Sequence, residues 1–168
     1  MRLAVEELAG KLLELGAASV FLYGSRARGD ELFDSDWELG AIFEDHKYKE
    51  RKELAKLSPE GVAIYSFRLS EFESGQPETP FTKSIWLCEI IKTGKTIAGE
   101  LIVERQSPPE ITKKDLENDI SFSKARALDA MLALRIGGDE LAKDLFVKSC
   151  LFGLRDLILL NGGKFPAS

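Results

Sequence analysis

The sequence predicts an α+β chain: a small sheet unit of roughly 100 residues, helices and strands in alternation, followed by an antiparallel helix pair. Three observations carry this. Short β-branched and aromatic runs alternate with stretches of helical period in the first part of the chain. Gln106-Ser-Pro-Pro-Glu110 is its clearest break. Beyond that break, two long stretches repeat apolar residues at helical spacing, with Gly137-Gly138 turning the chain between them. The expected domains are 1–105 and 110–168.

The elements follow in order. Met1, Val5, Leu8, Leu12 and Leu15 recur at spacings of four and three, one face of a helix that Gly16 ends. Ala18 to Tyr23 reads as a buried strand, and Gly24-Ser25 turns it into the polar segment Arg26 to Ser35. A second strand, Asp36 to Phe43, runs into a charged stretch, Glu44 to Glu53, expected as exposed loop and short helix before Pro59. Gly61 to Leu69 is a third strand, and Ser70 to Pro80 has loop chemistry throughout. From Phe81 the pattern is helical to Gly94, and Thr96 to Val103 is extended with a break at Gly99. Thr112 and Asp115 form a capping-box pair that opens a long helix with Leu116, Ile120, Ala127, Met131 and Leu134 on one face. Asp139 opens the next, with Leu141, Leu145, Leu154, Leu157 and Leu160 along it and Asn161-Gly162-Gly163 as its stop.

Composition removes several functions. The 168 residues are 44% hydrophobic and 30% charged, with 28 acidic against 23 basic side chains, a net charge of −5. No apolar run approaches the ~20 residues of a membrane span. The acids and lysine in the first helix do not suit a secretory leader. Two cysteines, Cys88 and Cys150, and one histidine, His46, exclude a disulfide scaffold and a multi-histidine metal site, and suit a reducing cytoplasm. Neither half of the chain is basic, so non-specific duplex nucleic-acid binding is not expected as the main activity.

The chemistry concentrates between Leu22 and Gly40. Gly24 and Ser25 stand where a strand gives way to a helix-capable segment, a junction whose backbone N–H groups favour an anion, and glycine lets a phosphate approach the main chain. Ser25 adds a hydroxyl donor. Arg26 and Arg28 are nearby cations, with Asp30, Glu31 and Asp34 as alternative partners. Pairing within this segment is the leading reading for Arg26, whereas for Arg28 it stands level with phosphate contact. Asp36 and Glu38 leave the same face of a strand, their Cα atoms about 7 Å apart, and two such carboxylates can share a divalent cation. Trp37, Leu39, Ala41 and Phe43 make the opposite, buried face.

Gly24-Ser25, ten residues, then Asp36-x-Glu38 resembles the signature of the DNA polymerase β-like nucleotidyltransferases. The likeness is to their minimal prokaryotic branch, which includes antibiotic nucleotidyltransferases of the kanamycin type. It implies a small mixed sheet flanked by helices, with a C-terminal helical segment. By that resemblance Gly24, Ser25 and Arg28 hold the triphosphate of an NTP, ATP above all. Asp36 and Glu38 are the catalytic ligands of Mg²⁺, with Mn²⁺ as a substitute. A nucleoside monophosphate then passes to the hydroxyl of a small molecule or protein, and pyrophosphate is released. Two departures stand out: the second acid is Glu where Asp is commoner, and Gly61 to Leu69 offers no third acid, Ala63 or Tyr65 standing in its place. Glu71, Glu73, Glu89 and Glu100, or Asp115, Glu117 and Asp119 in the helical part, remain open as substitutes. The alternative expectation is a module of the same fold that binds nucleotide without turnover, an antitoxin-like partner of a helical protein. HEPN-type ribonuclease chemistry is excluded, since no histidine follows His46. Relatives commonly continue beyond the position of Ser168, so the expectation is either a homodimer or helical protein partner that covers the helix pair, or a chain cut short.

Overall fold

Helix α1 (Arg2–Glu14) places Val5, Leu8 and Leu12 on a buried stripe, as the four-and-three spacing predicts. It ends at Glu14, so Leu15 falls beyond it and is exposed. The computed structural model of the protein describes residues 2–31, 33, 35–74 and 83–163. The expectations for Met1, Asp34, residues 75–80, Phe81 and the stretch after Gly163 lie outside the described residues.

Four strands, β1 (Ala17–Tyr23), β2 (Trp37–Phe43), β3 (Val62–Arg68) and β4 (Lys95–Gly99), pair in the order β3-β2-β1-β4. β1 runs antiparallel to β2 and β4, and β2 runs parallel to β3. The sheet is mixed and flanked by helices, the α+β class expected. One face packs Val20, Leu39, Ala41, Phe43, Val62 and Ile64 against α1 and against Leu54 of α3 (Arg51–Leu54). The other packs Phe21, Ile42 and Phe67 against α4 (Leu69–Ser74), α5 (Lys83–Thr93) and α6 (Ile102–Arg105). Strand alternation therefore sends Glu38, Gly40 and Ile42 to the second face. Gly40 is needed there: a Cβ would lie 2.0 Å from Cζ of Phe21, its cross-strand partner.

Three stretches differ from expectation. Asp36 stands just before β2, which begins at Trp37 with a hydrogen bond from its N–H to Gly61 O (2.9 Å). Ser70 to Ser74, expected as loop, is helical in α4: Phe72 is buried and the Glu71 carboxylate accepts from Arg68 N (2.6 Å). The local polar composition hid that one aromatic anchor. Val103 lies in α6 rather than in an extended run, because Glu104 accepts from both N and Oγ1 of Thr96 and folds α6 back onto β4.

The chain divides into two compact units, residues 1–78 with 86–109, and residues 79–85 with 110–167. In the second, α7 (Lys113–Arg135) opens with the expected Thr112–Asp115 capping box. α8 (Asp139–Leu160) returns beside it. Their mutual seam is small and polar: Ser123, Ala130 and Ala133 of α7, with Ala142, Ser149 and Gly153 of α8, are the residues that allow close approach. Of the larger residues of the expected stripe on α7, Leu116 is buried, whereas Met131 is 56% and Leu134 60% exposed.

A charged cluster sits inside that seam. Arg155 donates from Nη2 to Asp119 and from Nε to Asp156, both at 2.8 Å. Asp156 is 0% exposed, and its Oδ2 has no hydrogen-bond partner among the described residues. Burial first, then the neighbouring Asp119 carboxylate, push the Asp156 carboxyl up from its ordinary 3.8 to about 6, against the pull of Arg155. A folded-state value above the unfolded one means that the native chain holds the proton more tightly. The resulting stability is present below about pH 4 and is lost as pH rises through about 6. Asp156→Asn is expected to flatten this slope and to stabilise the unit near pH 7 by on the order of 2 kcal/mol. Urea unfolding at pH 4.5 and 7.5, wild type against variant, measures the difference.

Candidate functional site

The bend between β1 and α2 (Ser25–Arg28) organises the site. Gly24 has φ 72° and ψ −159°, a region open essentially to glycine alone. The carbonyl of Gly24 accepts from Ala27 N and Arg28 N, and that of Ser25 from Gly29 N and Asp30 N, winding one tight turn straight off the strand. Across the sheet Glu38 is the register partner of Tyr23. Its carboxylate folds over the bend: a Cβ on Gly24 would lie 1.8 Å from Glu38 Oε2. Only a residue without a side chain leaves room for that carboxylate.

The other residues singled out by sequence are placed as follows. Ser25 follows Gly24 as the first residue of α2. Arg26 has a structural position, donating twice to Ser35 O (2.9 and 2.6 Å) with its guanidinium 4.7 Å from the Trp37 ring centre. Arg28 pairs with Asp30 (3.1 Å) and, from Nη1, with Glu89 Oε1 (2.6 Å). Asp36 is exposed, two residues before Glu38. The structure thus brings Gly24 and Glu38 together, keeps Ser25 beside them through the chain, and turns Arg28 toward α5. His46 is exposed beside Glu44, as expected for the charged stretch 44–53, and Cys88 is buried.

Sequence reasoning missed an aromatic wall. Tyr23, Tyr65 and Trp86 meet edge to face, with centroids 5.9, 6.3 and 5.7 Å apart, and the Arg51 guanidinium lies 3.8 Å from the Tyr65 ring centre. Tyr23 is 4% exposed, yet its hydroxyl has no hydrogen-bond partner among the described residues. Burial, then the charge of Glu38, hold that hydroxyl well above the usual tyrosine value, with Tyr65 and Glu89 adding and Arg51 opposing. It is a donor at any physiological pH. In the register, Ala63 of β3 lies beside Glu38 and Tyr65 beside Gly40, so this part of β3 brings no carboxylate. Of the acids left open, Glu71 caps α4, and the further acid Glu104 is tied to Thr96. Glu89 is engaged by Arg28 at 2.6 Å.

Residues 5–92, just over half of the chain, match the nucleotidyltransferase domain family. The chain belongs to that family. Among solved structures, this nucleotidyltransferase chain is similar to the spectinomycin adenyltransferase AAD(9) from Enterococcus faecialis with ATP and spectinomycin. That likeness is 17% identical, covers 97% of this chain and 76% of that one, and has a TM-score of 0.55. A toxin-antitoxin structure with AMP-PNP is 16% identical over 81% of this chain and 98% of its own, with a TM-score of 0.41. The first shows the shared nucleotidyltransferase fold, in keeping with the polymerase β-like superfamily. No curated protein matches the chain.

Nucleotidyltransferases generally use divalent metal ions. Among the described residues of this one, no group of three or more His, Cys, Asp or Glu side chains is arranged to hold an ion. Magnesium does not require one, since it keeps several waters and takes one or two carboxylates together with substrate phosphates. Glu38, pressed against a glycine that a phosphate can approach, with Asp36 two residues away, is a donor set of that kind. The residues present fit the ion.

Proposed function

We propose that the chain is a metal-dependent nucleotidyltransferase that moves a nucleoside monophosphate from an NTP, ATP first, onto an acceptor hydroxyl of a small molecule or protein, releasing pyrophosphate. The observation that supports this reading is the seat of the Glu38 carboxylate on Gly24, which puts a negative group against a bend suited to polyphosphate. In this reading Gly24 admits the phosphate, Ser25 donates its hydroxyl to it, and Arg28 supplies charge. Asp36 and Glu38 hold Mg²⁺ or Mn²⁺, which when bound offsets charge on the transferring phosphate. Residues 1–105 form the transferase domain. Residues 110–168 form a helical domain whose exposed Leu128, Leu132, Ile136 and Leu151 suit a second copy or a helical protein partner. Among the described residues no helix is long and apolar enough to cross a membrane, and both cysteines are free, which supports a cytoplasmic setting.

A second reading is favoured by Ala63 beside Glu38: the fold binds nucleotide without turnover, as an antitoxin-like module. Calorimetry with ATP and Mg²⁺, followed by incubation with ATP labelled at the α-phosphate, separates the readings. The first expects binding and appearance of labelled AMP groups with pyrophosphate. Binding with the label still in ATP transfers the case to the second, and absence of binding overturns both.

A further inference from the structure

In the sheet Glu38 has Tyr23 of β1 on one side and Ala63 of β3 on the other. The two sides differ. From Tyr23 the chain runs straight into the Gly24 bend. On the β3 side the small Ala63 is followed, on the same face, by Tyr65, a half-buried ring that meets Tyr23 and Trp86. Arg51 reaches this ring from an unexpected direction. It stands in the crossover between β2 and β3, on the short helix whose Leu54 packs against the opposite, α1-facing side of the sheet. Strand β3 is at the edge, and the Arg51 side chain passes round it to lay its guanidinium 3.8 Å from the Tyr65 ring centre. Arg28 is paired with Asp30 and Glu89, and Arg26 donates to Ser35 O. Exposed Arg51 has no carboxylate partner among the described residues. A guanidinium held flat on an aromatic ring keeps its N–H edge open, the edge that matches a carboxylate or phosphate.

In-line transfer decides which side each reactant takes, because the attacking and leaving oxygens lie on opposite sides of the phosphorus. With the triphosphate on the Gly24 bend, pyrophosphate leaves on the β1 side of Glu38 and the acceptor enters from the β3 side. We propose that Ala63, Tyr65 and Arg51 form the acceptor subsite, and that it takes a small hydroxyl compound bearing an anionic group. This rests on the transferase reading above and names the class of its acceptor. The anionic group pairs with Arg51, and the body of the molecule lies along the half-buried Tyr65 and Trp86 rings. The acceptor oxygen bonds to the α-phosphorus, and the bond from that phosphorus to the bridging oxygen breaks. Pyrophosphate leaves with the electron pair, and the hydroxyl proton passes to solvent. A cationic acceptor would set its charge against Arg51.

The test follows transfer of labelled AMP from ATP with Mg²⁺, by the full chain, to two phenols of similar size and opposite charge, 4-hydroxyphenylacetate and tyramine. Calorimetry reads ATP affinity alongside. Wild type is expected to use the anionic phenol with a kcat/KM at least about tenfold above that of the cationic one. Arg51→Gln is expected to raise the KM for 4-hydroxyphenylacetate about tenfold, acting through KM rather than kcat, and to bind ATP within about threefold of wild type. Arg51→Lys, which keeps the charge, is expected to recover part of that loss, and Arg51→Glu to reverse the preference toward tyramine. Equal use of the two phenols by wild type overturns the proposal and leaves the transferase reading intact, as does an anion preference that survives in Arg51→Glu. A tenfold loss of ATP affinity in Arg51→Gln also overturns it, since the arginine then serves the nucleotide. Wild type that binds ATP and labels neither phenol overturns it and leaves the nucleotide-binding reading standing. Wild type that does not bind ATP removes the transferase reading itself.

Discussion

Gly24→Ala is expected to destabilise the first unit by about 2–4 kcal/mol and to lower ATP affinity at least tenfold. Two costs add. A non-glycine residue at φ 72° and ψ −159° is strained wherever it sits. The new methyl would also stand 1.8 Å from Glu38 Oε2, so either the carboxylate swings away or the bend opens. Both movements separate the acid from the phosphate-accepting turn. The two costs are separable because only the second involves Glu38. Adding Glu38→Ala to Gly24→Ala should restore the overlap share of the stability and none of the backbone share, a non-additive pair in a double-mutant cycle. Thermal unfolding of the four chains measures it. Full additivity would show that the carboxylate does not rest on the glycine.

What could be read in the sequence was whatever depends on local spacing. The period of α1, the strands on either side of Gly24-Ser25, the Thr112 capping box and the turn at Gly137-Gly138 are short-range patterns, and the structure carries each of them. The Gly-Ser and Asp-x-Glu signature belongs to the same kind, which is why the family was legible. Long-range placement was not. Tyr23 reads only as the end of a buried strand and Trp86 only as part of a helical stretch, because periodicity reports that a side chain is buried and not which rings it meets or whether the Tyr23 hydroxyl has a partner. Glu89 lies sixty-one residues from Arg28, and nothing in either neighbourhood announces the pair. The helix pair misled for a different reason. Apolar spacing picks out a stripe, yet the buried positions between α7 and α8 include the small residues Ser123, Ala130, Ala133, Ala142 and Ser149, which a search for large apolar side chains passes over.

The glutamate at position 38 is expected to resist replacement by the shorter acid. Its carboxylate reaches Gly24 from the strand opposite, Oε2 coming nearest to the place a Gly24 Cβ would take, at 1.8 Å, with Cδ at 2.8 Å and Cγ at 3.5 Å. Glu38→Asp keeps the charge and withdraws it by roughly one methylene, about 1.5 Å, from the bend; a misplacement of that size lowers rate on the order of 10²-fold. ATP affinity should fall less, since the charge remains. Asp36→Asn with Glu38→Gln removes the charge altogether, and transfer is expected to fall by more than about 10³-fold as two charged groups at the reacting phosphate are lost. The same double variant keeps the size and shape of both side chains, so without ligand it should unfold within a few degrees of wild type. It should also lose the stabilisation that ATP with Mg²⁺ gives the native chain. Thermal unfolding with and without that pair, beside the transfer assay, separates loss of the site from loss of the fold. A double variant that melts well below wild type and still responds to ATP with Mg²⁺ would show that these acids hold the fold rather than the ion.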